Sequence, residues 1–220
     1  MDINVTYDVE KVNELCEIMR RHGSDKGTHI NDRRHNYTRY YYPLFLDVRN
    51  EKLRIFELGL GTDDPTLVSN MTYLGPGMAR PGASLRGWKE FFPNSEIYGA
   101  DIDKKILFEE DRIKTYYCDQ TSPRDIHNMW MNEDLDDDFD IIIDDGLHRI
   151  HANRIFFENS CHKLKVGGIF IIEDVGDQIN GAKLVEEIKT THSNFSVKLL
   201  IIDHPTNKGD NNLIVVKRNY

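Results

Sequence analysis

Two short β-branched runs in this chain each finish in a pair of acids. Phe139-Asp140-Ile141-Ile142-Ile143 runs into Asp144-Asp145-Gly146-Leu147-His148, and Gly167-Gly168-Ile169-Phe170-Ile171-Ile172 ends in Glu173-Asp174. Read as parallel strands, the two deliver their terminal acids to one edge of a sheet. Ligand sites in open α/β sheets lie at that carboxyl edge. Carboxylates and a histidine converging there predict a divalent-metal site with a base beside it.

The rest of the chain follows the same grammar. Leu53–Leu58, Glu96–Asp101, Arg112–Cys118, Asp140–Asp144 and Ile169–Glu173 read as strands. Helix-compatible stretches lie between several of them, at Ser84–Phe92, Pro123–Asn132 and Ala152–Leu164. Strands alternating with helices predict βαβ units and a parallel sheet. Before them, Val9–Arg21 is helical in pattern, with Val12, Leu15, Ile18 and Met19 on one face and Gly23 as a stop. A polar turn, Ser24-Asp25-Lys26-Gly27-Thr28, then leads into an aromatic segment from Tyr37 to Phe45. The tail differs: Val197–Ile202 and Leu213–Lys217 read as an antiparallel hairpin closing one edge. With 220 residues and no linker or repeat, the chain is expected to form one domain over 1–220, its first 50 residues a helical and aromatic cap.

Charge narrows the partners. Lys+Arg 28 against Asp+Glu 37 leaves a net charge of −9, which argues against nucleic-acid or anionic-membrane surfaces. No apolar stretch has the length of a membrane span, and Met1-Asp2-Ile3-Asn4 lacks the basic and apolar regions of a signal peptide. Cys16, Cys118 and Cys161 are widely spaced and odd in number, which predicts neither a disulfide framework nor a zinc knuckle but a reduced, cytoplasmic protein.

The first strand runs into a glycine turn, Glu57-Leu58-Gly59-Leu60-Gly61. Glycines there let backbone approach a ligand closely. The third glycine of a dinucleotide fingerprint is missing, and Thr62, Asp63 and Asp64 follow instead, poor company for a pyrophosphate. Glu57 suits a ligand carrying an ammonium group; a plain structural turn fits equally well. Asp101 ends the second strand, where a carboxylate can accept from both hydroxyls of a ribose or else cap the next helix. Asp119 and Gln120 close the third, either to read an adenine edge and exclude water or simply to turn.

Together these motifs resemble the class I S-adenosylmethionine-dependent methyltransferases. Ser24-Asp25-Lys26-Gly27, Gly82-Ala83-Ser84-Leu85-Arg86-Gly87-Trp88 and Phe92-Pro93-Asn94-Ser95-Glu96-Ile97-Tyr98-Gly99-Ala100-Asp101-Ile102 narrow the resemblance to the metal-dependent macrolide-sugar O-methyltransferases. Asp144-Asp145-Gly146-Leu147-His148, Glu173-Asp174 and Asp210-Asn211-Asn212-Leu213 extend it to nearly everything from residue 24 onward. The resemblance implies an α/β, three-layer Rossmann-like fold whose mostly parallel seven-stranded sheet has a reversed last strand. It implies S-adenosylmethionine held by Glu57, Gly59, Gly61, Ser84, Asp101 and Gln120, with Asp119 and Asp144 beside them. It further implies Mg2+ held by Asp145, Glu173 and Asp174, with His148 as general base. The expected function is O-methylation of a sugar or glycosylated small molecule. A non-sugar acceptor (an amine, phosphoramidate or catechol) and a non-catalytic nucleotide- or metabolite-binding module are the alternatives. A metal-bound hydroxyl loses its proton more readily, and a nearby imidazole can take it, so the residues make chemical sense without the family.

The chain departs from that pattern at Leu147, where most relatives have Ser, and in the long loop from Thr62 to Pro81, which reads as a substrate lid. The macrolide enzymes can also carry an extra amino-terminal region, and almost none is expected here, so a macrolide acceptor does not follow. His151 is expected in second rank or solvated. His29, His35 and Tyr37 suit a cap over the donor pocket, while Tyr40-Tyr41-Tyr42 suit core packing or an oligomer contact equally. A homodimer or larger assembly is expected. Asp136-Asp137-Asp138 reads as a solvated turn and Cys161-His162 as structural.

Overall fold

The computed structural model describes residues 1–27, 34–75 and 78–220. Its sheet follows from the apolar runs. Strands β1 (Arg54–Leu58), β2 (Glu96–Asp101), β3 (Glu109–Glu110), β4 (Ile113–Tyr117), β5 (Phe139–Asp144), β6 (Leu164–Ile172), β7 (Phe195–Ile201) and β8 (Asn212–Arg218) lie in the order β3-β4-β2-β1-β5-β6-β8-β7. The central five, β4, β2, β1, β5 and β6, are parallel. β8 runs against both β6 and β7, so the reversed last strand is present. The expected count of seven is exceeded by one. The addition is β3, two exposed residues paired antiparallel to β4, too short and too acidic to carry a strand pattern.

Side chains alternate between two helical layers, as the pleat requires. Ile55, Ile141, Ile143, Ile169 and Ile171 pack with residues of α1 (Glu14–His22), α2 (Thr38–Phe45) and α3 (Ala83–Phe91). Phe56, Ile142, Phe170 and Ile172 pack on the other face with α4 (Pro123–Trp130), α5 (Ile150–Ser160) and α6 (Gln178–Thr191). The result is three layers.

Helix ends show where periodicity misleads. It predicts the first helix from Val9, but Asn13 caps that helix, accepting the Cys16 N–H at 3.0 Å, and Val12 stays exposed. Gly23 closes it with φ 89°, as a stop glycine should. Helix α6 is not among the helices expected from the sequence, and it contains Gly181. A Cβ there would lie 2.7 Å from Val175 Cγ1, so close packing and not a turn accounts for the glycine. The aromatic segment folds as α2, with Tyr40 and Tyr41 buried beneath the sheet edge.

Candidate active site

Register sets the site. Leu58 pairs with Asp144, and Asp144 with Ile172, so the residues that follow each strand emerge side by side. The Asp145 N–H donates to the Leu58 carbonyl at 2.9 Å, and the Glu173 N–H to that of Asp144 at 2.9 Å. Gly59, with φ +96°, turns the chain beside them; a Cβ on it would stand 1.9 Å from the Asp145 carbonyl oxygen. Only glycine fits there.

A cavity of about 860 Å³ opens over these strand ends, within the range of small-molecule sites. Gly59, Gly61, Ser84, Asp101, Asp119, Gln120, Asp145, His148, Glu173 and Asp174 all line it. Asp101 accepts the Leu60 N–H at 2.7 Å and the Asp103 N–H at 2.8 Å, which ties the glycine turn to β2 and leaves further lone pairs facing the cavity. Asp119 accepts from the N–H and hydroxyl of Thr121, so it is both a turn residue and a wall.

Three of the expected donor residues are committed elsewhere. Glu57 is fully buried behind the wall; it accepts from the Ser84 hydroxyl and from Trp88 Nε1 at 2.5 Å. Asp144 is likewise fully buried, accepting from Gln120 Nε2 at 2.7 and 2.8 Å and from Asn153 Nδ2 at 2.9 Å. Burial pushes the Asp144 carboxyl up to about 6, against the opposing pull of its hydrogen-bond donors. Gln120 spends its amide on Asp144 and its oxygen on the Leu147 N–H at 2.7 Å. Glu57 and Asp144 therefore shape the pocket from behind.

The acids at the strand ends have a complete set of protein donors. Asp145, His148 and Asp174 each bring one ligand atom to within 4.8 Å of the others, a grouping that suits a metal ion. The two ring nitrogens of His148 face Asp145 Oδ1 and Asp174 Oδ2, each at 3.2 Å. Glu173 is directed differently, accepting from Tyr41 Oη at 2.6 Å and from Lys26 Nζ. Tyr37 Oη donates to Asp174 Oδ1 at 2.6 Å, and His35 lies 3.5 Å from the same oxygen. His148 and Asp174 both have left-handed backbones, φ 56° and 54°. Such conformations are costly for residues with a Cβ and cluster at functional sites.

Burial alone would push the Lys26 ammonium down, but the charges of Asp145, Glu173 and Glu57 outweigh it and hold it well above the usual lysine value. Burial would likewise raise Asp145, yet Lys26 and His148 keep it below the usual carboxylate range. His148 is held at about 10 by Asp174 and Asp145 against the lowering effect of its own burial.

Lys26 and Tyr41 are the residues whose roles the sequence concealed. A lysine in a polar turn reads as solvated, and nothing local reveals partners 119 and 147 positions away. The ambiguity at Tyr40-Tyr41-Tyr42 resolves by contact: Tyr41 serves Glu173, whereas Tyr40 donates to the Ile3 carbonyl in the core. His35 and Tyr37 do reach the pocket side; His29 lies outside the described residues, as do Thr28, Pro76 and Gly77. His151 and Asp136-Asp137-Asp138 are exposed. The loop after Gly61 leans over the cavity, where Ser69 donates to the Gly146 carbonyl at 2.9 Å.

A mostly parallel sheet with a reversed strand, a glycine turn after β1 and acids after β2, β5 and β6 make this a class I S-adenosylmethionine-dependent methyltransferase fold. Over about three quarters of its length the chain is similar to sugar O-methyltransferases of macrolide and tetracenomycin biosynthesis. It is 33% identical over 171 residues to the 8-demethyl-8-alpha-L-rhamnosyl tetracenomycin-C 2'-O-methyltransferase of Streptomyces olivaceus, a match covering 76% of this chain and 39% of that protein. It is 35% identical over 162 residues to the mycinamicin VI 2''-O-methyltransferase of Micromonospora griseorubida, covering 74% of this chain and 36% of the relative. The MycE methyltransferase of the mycinamycin biosynthetic pathway, solved in complex with Mg and SAH, superposes with a TM-score of 0.69 at 27% identity, over 96% of this chain and 56% of that one. The chain thus spans less than half the length of these curated relatives. No protein-family model matches it.

Proposed function

We propose that this chain is an S-adenosylmethionine-dependent, Mg2+-assisted O-methyltransferase acting on a hydroxyl of a sugar or glycosylated small molecule. One observation carries the reading: Asp145, His148 and Asp174 converge in the same cavity that Gly59, Gly61 and Asp101 line. The relatives' sugar acceptors support the substrate class. The carboxylate oxygens of Asp145 and Asp174 fit a divalent ion, with the His148 imidazole within 4.8 Å of both as a base beside it, and the 860 Å³ cavity beside the glycine turn fits an adenosyl donor.

When bound, magnesium supplies the charge that makes an alcohol more acidic, and the donor supplies a methyl group on a sulfonium. The protein's own residues do the rest. Asp145, Glu173 and Asp174 form the proposed metal set, oriented by Lys26, Tyr41 and Tyr37. Asp101 accepts from ribose hydroxyls, while Asp119 and Gln120 bound the adenine side, Gln120 by fixing the Leu147 backbone. Ser84 and Glu57 hold the wall behind the methionine end, with Asp144 beneath. His148 takes the acceptor's proton. It keeps its own while the flanking acids carry full charge, so neutralising those acids is what frees the imidazole to act as a base.

Residues 1–220 read as a single methyltransferase domain, with 1–50 as the cap. Tyr37 and Tyr41 support this assignment because they reach from the cap to the acids. No helix among the described residues is long and apolar enough to cross a membrane, and the three cysteines are free and buried. These features suit a reduced, cytoplasmic enzyme, and a homo-oligomer is the assembly we propose. Calorimetry with S-adenosylmethionine and its demethylated product, with and without Mg2+, tests the core reading. Micromolar binding of both is expected, and binding of neither rejects it.

A further inference from the structure

The carboxylates of Asp145 and Glu173 face each other across a single atom, Nζ of Lys26. That nitrogen donates to Asp145 Oδ2 at 2.5 Å and to Glu173 Oε2. Its side chain is only 2% exposed. A third acid, Glu57, lies 3.7 Å from the same nitrogen. Glu57 is held by Ser84, on the same Oε1 that faces Lys26, and by Trp88 on Oε2, so it stays in reach whatever Lys26 does.

A divalent ion bridging Asp145 and Glu173 must approach both oxygens to about 2.1 Å. The space between those oxygens is the space Nζ fills. Two cations cannot share it, since like charges in contact repel strongly inside a protein. We propose that the Lys26 ammonium is a built-in competitor for the metal: it fills the seat between Asp145 and Glu173 and yields to a divalent ion by moving onto Glu57. The inference rests on the metal reading above and adds a positioning residue to it.

The flexible four-carbon stem of lysine permits that short displacement, and Glu57 offers a buried carboxylate to receive it. Two consequences follow. The acids stay assembled and neutralised before any metal arrives, so the pocket forms without one. Metal affinity is then set by an exchange of cations, and lies below what three bare carboxylates would give. Asp174 is held by Tyr37, His35 and His148 and not by Lys26, so the exchange at Lys26 does not involve it.

The test is Mn2+ binding to the full chain, followed by calorimetry and by the loss of free Mn2+ signal in electron paramagnetic resonance. Lys26→Met is expected to bind Mn2+ at least tenfold more tightly than wild type, whereas Lys26→Arg, which keeps the cation, stays within about threefold. Equal or weaker binding by Lys26→Met, with wild type still binding, overturns the competition and leaves the metal reading standing. No binding by any of the three proteins overturns both. Lys26→Met leaves buried acids without their counter-charge, so a second measurement uses wild type alone. In Mn2+-soaked crystals, Nζ displaced toward Glu57 supports the proposal. Nζ still bridging Asp145 and Glu173 beside a bound Mn2+ overturns it.

Discussion

Gly59 and Asp145 are in contact so close that a single added carbon on the first would overlap the carbonyl of the second, at 1.9 Å. This contact joins the glycine turn of the proposed donor side to the first acid of the proposed metal set. Gly59→Ala is therefore expected to abolish donor binding and to lower the melting temperature. Gly167→Ala is the control. Gly167 also has positive φ, +83°, but among the described residues no heavy atom beyond its own chain neighbours lies within 4 Å of its added Cβ. Its cost should stay near ~1 kcal/mol, from backbone strain alone, with donor binding intact. Equal effects of the two changes in thermal melts and calorimetry would discount the contact.

His148 and Asp174 test the chemistry apart from the fold. His148→Ala is expected to lower kcat by roughly 10²–10⁴-fold, the usual contribution of a general base. Donor affinity should change little, because the ring faces Asp145 and Asp174 and not the glycine turn. Asp174→Asn should lose activity with metal binding. Turnover that survives both changes, or survives a chelator, would refute metal-assisted oxygen chemistry.

Tyr37 and Tyr41 are expected to matter through the acids they hold. Each phenol donates to a buried carboxylate at 2.6 Å. Replacement by Phe removes a charge-assisted hydrogen bond, costing about 1–3 kcal/mol of stability. Tyr37→Phe should also weaken metal binding, because Asp174 loses its orienting donor. Tyr40→Phe removes a bond to the Ile3 carbonyl and should affect stability alone. Denaturant melts paired with Mn2+ titrations separate the two behaviours.

The thiols give a check on compartment and burial. Burial pushes Cys161 up to about 11 and Cys118 higher still. All three cysteines are free and buried, so none should react with a thiol reagent at pH 8 until the chain unfolds, when all three should. The same burial links stability to pH. The unfolded thiol of Cys161 ionises near its ordinary value of about 8.5, whereas the folded one keeps its proton to about 11. Stability should therefore fall as pH rises between those values, and a Cys161→Ser variant should flatten that slope.

Much of this arrangement is legible in the order of the residues. β1, β2, β5 and the tail hairpin announce themselves by apolar runs, and strand–helix alternation makes the sheet parallel. The acids after β5 and β6 are legible because strand ends fix where such residues go. Less visible is how each side chain points once there. Glu57, Asp144 and Gln120 bond to neighbours in the protein and not to open space, a choice made by distant partners such as Trp88 and Asn153. Lys26 is hidden for the same reason. Helix α6 is not among the stretches the pattern singles out, and its Gly181 is a point of close packing against Val175.

Segments far apart in the sequence meet at these acids. Tyr37 donates to Asp174 and also to the Asp210 carbonyl at 3.0 Å, and Asn36 and Asn211 bond each other. The contacts that complete the pocket are thus among its longest in sequence, and such closures come late and slowly in folding. Loosening either partner segment, at 36–37 or at 210–211, therefore frees Asp174 from the same side.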